Sequence, residues 1–182
     1  MSCGLCAGNI LKRKNMIFLK EVNFEDIEKE YLFVKEMPYE ENGFFNEWKD
    51  VSEEDFAEKA IKQMIDYSKG VGLPEGYVPE TIYFLWDDKE IVGQFHIRHY
   101  LCESLREGAG HIGYFVDKKY RGRGYATEGL RLTLEKARQI IPEDEIYLRT
   151  DRTNYASLRV MQKNGGQIHH KDENKYYVRI KK

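Results

Sequence analysis

One stretch limits what this chain can fold into more than any other: Val116-Asp-Lys-Lys-Tyr-Arg-Gly-Arg-Gly-Tyr-Ala-Thr-Glu128. A strand-like run, His111–Val116, feeds a basic loop with two glycines, and a helical pattern starts directly behind it. Ala126, Leu130, Leu134, Ala137 and Ile141 then fall on one stripe of a helix from about Gly124 to Ile140, with Pro142 as its stop. A strand that runs straight into an amphipathic helix belongs to a mixed α/β architecture, in which the helix packs back on the sheet. The start of such a helix carries unpaired N–H groups and the positive end of the dipole, and both favour phosphate oxygens. Gly122 and Gly124 let the backbone approach closely, and Arg121 and Arg123 add charge-assisted contacts. The chain has no G-x-x-x-x-G-K-[ST] loop, and its glycine pattern does not fit a dinucleotide-binding fold.

The rest of the chain supplies the partners of that unit. Met16–Val22 reads as a strand, and Asn23 as the cap of a helix through Glu36 that ends at Met37-Pro38. Gly43–Trp48 is an aromatic loop or partial helix. Ser52-Glu-Glu-Asp55 resembles a capped helix start, with Phe56, Ala60, Ile61, Met64 and Ile65 behind it at helical spacing. After a turn-rich linker, Gly70–Pro79, two strands (Thr81–Trp86 and Ile91–Tyr100) flank Asp87–Glu90 as a hairpin. Beyond the central helix come a strand at Glu145–Thr150, a short helix at Asn154–Asn164 stopped by Gly165-Gly166, and strands at Gln167–His170 and Lys175–Ile180.

Composition narrows the class. A chain of 182 residues, 41 % hydrophobic and 33 % charged, suits one globular domain. No apolar run approaches the ~20 residues of a membrane span, and the start lacks the apolar region of a secretory signal. Three cysteines make a poor disulfide framework, so the expected location is cytoplasmic. Residues 1–15 differ in character from the remainder of the chain and read as an extension, native or artificial, before a single domain at 16–182. Cys3-x-x-Cys6 has no second pair at zinc-ligand spacing, and no metal is expected. The net charge of −2 hides an asymmetry: residues 21–66 are strongly acidic and residues 117–182 strongly basic. That division suits a cationic partner held beside a polyphosphate. Interleaved acidic residues in the basic half argue against nucleic acid as a partner.

Arg121-Gly-Arg-Gly-Tyr-Ala126 resembles the [Q/R]-x-x-G-x-[G/A] signature of the GNAT superfamily of acyl-CoA-dependent N-acyltransferases. The wider phrase from Gly110-His-Ile-Gly-Tyr-Phe-Val116 to Ala126-Thr-Glu128 looks like a bacterial group of predicted acetyltransferases. Asn154-Tyr-Ala-Ser157 through Gly165 is similar to the family's N-x-x-[S/A] helix after the fifth strand. The resemblance implies an α/β (α+β) fold with a mixed, mostly antiparallel sheet, a V-shaped splay between the fourth and fifth strands, and helices on both faces. It also implies acetyl-CoA as co-substrate. The pyrophosphate would lie on Arg121, Gly122, Arg123, Gly124, Tyr125 and Ala126, the pantetheine beside Phe115 and Val116, and Asn154 against the cofactor arm.

The family's chemistry is direct attack of a neutral amine on the thioester, which needs a base, an oxyanion donor and a proton for the thiolate. The expected base is His111, on the strand that lines the slot, with Glu103 and Glu107 as alternatives through water. A backbone N–H near Phe115 or Val116 would serve the oxyanion. Many relatives carry a Tyr seven residues beyond the Asn, where this chain has Met161; the resemblance to relatives like the ribosomal-protein N-acetyltransferases, with a Ser at this place, implies Ser157 as the acid, with Tyr155 in reserve. The Met161 departure keeps a second reading open, a non-catalytic acyl-CoA-binding regulatory module. A Cys102 nucleophile paired with His96, His99 or His111 is a further rival. The acceptor is expected to be a cationic small-molecule or peptide amine, facing Tyr39, Phe44, Phe45 and Trp48 among Glu40, Glu41 and Glu47. The expected assembly is a monomer or homodimer, with no membrane partner.

Overall fold

In a computed structural model, the described residues are 16–182, so Cys3, Cys6 and the 1–15 segment lie outside them. Four antiparallel strands, β1 (Ile17–Glu21), β4 (Glu80–Asp87), β5 (Glu90–Arg98) and β6 (Ile112–Val116), form one sheet in the order β1-β4-β5-β6. A second sheet, in the order β7-β9-β8, consists of β7 (Glu145–Asp151), β8 (Gln167–Lys171) and β9 (Lys175–Lys181). Between β1 and β4 lie α1 (Ile27–Glu36), a short hairpin of β2 (Glu40–Glu41) and β3 (Phe44–Phe45), and a helical stretch at 53–68. That stretch comprises α2 (Glu53–Asp55), a π-turn (Phe56–Ala60) and α3 (Ile61–Ser68). The remaining helices are α4 (Glu103–Glu107), α5 (Tyr125–Ile140) and α6 (Tyr155–Lys163).

Both faces of the four-stranded sheet are covered, which is why β4 is a continuous apolar run rather than an alternating one. Tyr83 and Leu85 pack with Leu130, Leu134 and Ala137 of α5. Ile82, Phe84 and Trp86 pack on the opposite face with Val34 of α1, Phe56 and Ile61. Gly129 lets α5 sit this close, because a Cβ there would overlap the Phe95 ring.

The two sheets meet at one point and then part. Gly110 bridges Leu148, and the His111 N–H donates to the Tyr147 carbonyl at 2.7 Å. Gly110 has φ +72°, and a Cβ there would strike the Tyr147 carbonyl. Beyond this junction β6 and β7 are not paired, so a cleft opens between them.

Two local expectations are corrected. Asn23 does not cap α1; its Oδ1 accepts from the Glu25 and Asp26 amides in a turn of its own, and the helix begins four residues later. Gly43–Trp48 includes half of a hairpin, turned at Asn42 (φ 53°) and Gly43 (φ 79°). Ser52 does cap its helix, its Oγ accepting from the Asp55 amide at 3.1 Å. Among the described residues no helix is long and apolar enough to cross a membrane.

Candidate active site

A cavity of about 880 Å³ runs through the cleft and takes walls from both sides of the sheet. One end is lined by the β2–β3 hairpin and α3, with Phe44, Phe45, Trp48 and Tyr67; the other by the loop before α5 and by α6. Phe115 and Val116 of β6 and Thr150 and Asp151 of β7 line it as well. Tyr39 and Glu40 are not on the wall, whereas Glu41 and Glu47 are.

At the second end the chain forms a cradle of unpaired backbone amides at the start of α5. Gly122 (φ +76°) and Gly124 (φ +87°) turn the loop into α5, with open space where their Cβ atoms would be. The first amide to find an intrahelical acceptor is that of Glu128, on the Gly124 carbonyl at 3.0 Å. Among the described residues, none of the amides from Gly122 to Thr127 has an acceptor. Gly122, Gly124, Tyr125 and Ala126 all line the cavity, but Arg123 does not; its guanidinium lies over the Tyr120 ring, 6.0 Å from the centroid.

Arg121 lines the cavity but is engaged elsewhere. Its Nε donates to the Val116 carbonyl at 2.8 Å, and its two terminal nitrogens donate to the Glu41 carboxylate at 2.8 and 3.0 Å. That forked bond holds the Glu41 carboxyl below its ordinary range. Arg121 thus ties the hairpin to the cradle across the cavity.

Asn154 caps α6, its Oδ1 accepting from the Ser157 amide at 3.1 Å, and both residues face the cavity. The Ser157 hydroxyl lies 2.8 Å from that of Tyr114 on β6, across the cleft. Burial pushes the Tyr114 phenol up to about 12.

Comparison with known proteins agrees with this geometry. Residues 18–167 match the model of the acetyltransferase (GNAT) domain family. This chain belongs to the GNAT acetyltransferase family. It is an acyl-CoA-dependent acetyltransferase. A curated relative, the probable N-acetyltransferase YjcK of Bacillus subtilis, is 26 % identical over 128 residues, covering 69 % of this chain and 68 % of the relative. Among solved structures, Mycobacterium smegmatis RimJ in complex with CoA-disulfide superposes with a TM-score of 0.65 at 18 % identity, covering 92 % of this chain and 82 % of that one. Campylobacter jejuni N-acetyltransferase PseH in complex with acetyl coenzyme A gives 0.53 at 17 % identity, covering 92 % and 99 %. These structures share the GNAT fold.

Within this GNAT domain the residues expected to perform proton transfers are not all brought together. His111 is fully buried and off the cavity wall. Its Nδ1 accepts from the Tyr147 amide at 2.9 Å, so Nε2 carries the proton and donates to Glu143 at 3.2 Å. Its carbonyl accepts from the Arg98 amide at 2.8 Å. Every polar group of His111 is therefore engaged at the junction between the sheets, and no lone pair faces the cleft. Tyr155 is 60 % exposed and also off the wall. Glu103 and Glu107 are exposed on α4. The Cys102 thiol lies beside Ser104 at 3.2 Å, with no histidine partner. Among the described residues, no group of three or more His, Cys, Asp or Glu side chains is placed to hold a metal.

Three features of the wall went unread in the sequence. Tyr114 as the partner of Ser157 needed the pairing of distant elements. The Glu80–His96–Arg98 cluster was visible only as alternation on two strands that later pair. The Glu41 hairpin did carry a local signal, Asn42-Gly43, the strongest short hairpin dipeptide.

Proposed function

We propose that this enzyme moves an acetyl group from acetyl-CoA to a cationic primary amine by direct attack, with no acyl-enzyme. The observation that carries the reading is one continuous cavity with an anion cradle at one end and an aromatic, carboxylate-bearing wall at the other. The two ends meet at the β6–β7 cleft, where a thioester on a cradle-bound cofactor would lie. Phe44, Phe45, Trp48 and Tyr67 line that wall, and aromatic rings attract a cation. Glu47 has no ion-pair partner among the described residues, so its charge is free to attract one.

Register supports a specific oxyanion donor. The Arg98 amide bonds the His111 carbonyl and the Asp117 amide bonds the Val92 carbonyl, with continuous pairing between. By antiparallel alternation the backbone groups of Gly113 and Phe115 are taken by β5, and those of Tyr114 and Val116 face the cleft. The Val116 N–H, rather than that of Phe115, is therefore the donor for the developing oxyanion.

At the leaving group, a phenol at about 12 is a poor proton donor to a thiolate whose conjugate acid lies near ~8.5. Complete transfer would run uphill by roughly 5 kcal/mol. Tyr114 and Ser157 instead stabilise the thiolate as hydrogen-bond donors, and the proton that ends on sulfur comes from the acylated nitrogen. Tyr114→Phe or Ser157→Ala is then expected to lower kcat by about tenfold to a hundredfold, the effect of losing one bond to a charge. Acetyl-CoA affinity, measured by calorimetry, should stay unchanged.

The direct test is a calorimetric titration with acetyl-CoA, followed by thiol release on a panel of polyamines, aminoglycosides, amino acids and dipeptides. Micromolar-range binding and release with a cationic amine support the reading. Absence of binding at several hundred micromolar would sink it, and binding without release on any amine would favour the regulatory module.

A further inference from the structure

Nε2 of His96 is a buried imidazole nitrogen without a hydrogen-bond partner among the described residues, and His96 stands in the cavity wall. The residue lies on β5, opposite Ile82 of β4 and Gly113 of β6, on the face covered by the hairpin. Its Nδ1 is 3.0 Å from one oxygen of Glu80, whose other oxygen takes the Arg98 Nε at 3.1 Å. The Phe44 ring stands edge-on against the imidazole, 4.9 Å between centroids. A buried polar atom left unpaired in a folded protein calls for an explanation.

The tautomer is set by Glu80. Burial alone would raise its carboxyl, but the neighbouring His96 and Arg98 outweigh that and hold it at about 2. Glu80 is thus an anion and can only accept, so Nδ1 carries the proton and the neutral ring keeps its lone pair on Nε2. Charged or titratable groups around the ring are Glu80 on β4, Arg98 on β5, and His99, which acts on it through Glu80. The facing residues of β6 and the hairpin, Gly113 and Phe44, bring no charge.

We propose that His96 is the general base of the transfer, oriented by Glu80. The proposal rests on the acetyl-transfer reading above. The acceptor ammonium gives one proton to Nε2, and the freed lone pair forms the N–C bond as the C–S bond breaks. The second nitrogen proton ends on the departing sulfur, and the imidazolium returns its proton to water. Phe44 must swing from the ring for this to happen, and it sits on the hairpin that Arg121 holds through Glu41.

The test has two arms. In NMR spectra of the histidine ring nitrogens, assigned with His96→Gln, His96 is expected to show the Nδ1–H tautomer with Nε2 unprotonated. Glu80→Gln should weaken that tautomer preference, because the anion that can only accept from Nδ1 is gone. The opposite tautomer would overturn the proposal with no acceptor needed. In kinetics with the best amine of the panel, His96→Gln and His96→Asn should lower kcat at least a hundredfold at pH 7 with acetyl-CoA affinity intact. Wild-type kcat/KM should rise with pH along a limb that the variants lose. Turnover within twofold of wild type would overturn the base role and leave acetyl transfer standing. A wild-type protein that binds no acetyl-CoA would overturn both.

Discussion

Replacing Ala126 with glutamate is expected to weaken acetyl-CoA binding by on the order of a hundredfold to ten-thousandfold and to leave the protein folded. Ala126 is the second residue of α5, half-buried and on the cavity wall. A carboxylate in the first turn of a helix is favourable to the helix itself, so no loss of thermal stability should result. The same carboxylate would cover the unpaired amides and repel the cofactor's phosphates. Two lost charge-assisted bonds at about 1.5–3 kcal/mol each give the quoted range. Arg121→Glu is a less clean experiment, since it also sets two carboxylates together at Glu41 and releases the hairpin. Calorimetry for affinity and circular dichroism for the melting temperature decide the matter. A dissociation constant within threefold of wild type, in a folded variant, would mean that the phosphates do not lie on this helix start.

How much of the molecule is legible in the chain depends on how local each signal is. The strand–glycine loop–helix unit is contiguous, and its stripe of Leu130, Leu134 and Ala137 packs as the spacing implied. The caps at Ser52 and Asn154 are likewise local, each acting on an amide three residues away. Asn23 has the same side chain and the same neighbours in type, yet it closes its own turn, because a short polar side chain serves either purpose. The functional wall was harder to read. Arg121 meets Glu41 across 80 positions, and Tyr114 meets Ser157 across 43. His96 and His111 differ little in sequence context: each lies in or beside a strand leading toward the cleft. Their separation comes from partners, Glu80 and the Phe44 edge for one, Tyr147 and Glu143 for the other. No periodicity distinguishes a histidine with a spare lone pair from one without.

His111→Ala is expected to lower stability by about 2–4 kcal/mol, combining a buried void with an unpaired amide at Tyr147. For a chain of this size that corresponds to a fall in melting temperature of roughly 5–15 °C. Turnover of the variant, assayed well below its melting point, should stay within about twofold of wild type, since no group of His111 reaches the cavity. The pH dependence gives an independent signature. Burial holds the His111 imidazole below its ordinary 6.5, the Glu143 contact only partly opposing this. The unfolded chain therefore binds a proton that the native state refuses, so this contribution to stability is present above pH 6.5 and lost as pH falls below it. Glu143, held below its ordinary 4.5 because its hydrogen bonds outweigh burial, adds a loss in the same direction at lower pH. Denaturant melts from pH 8 to 5 should show wild-type stability falling toward acid more steeply than that of His111→Ala. If the variant instead keeps its melting temperature and loses a hundredfold in kcat, the base belongs at the junction of the sheets, and the cleft must open further down than its backbone register allows.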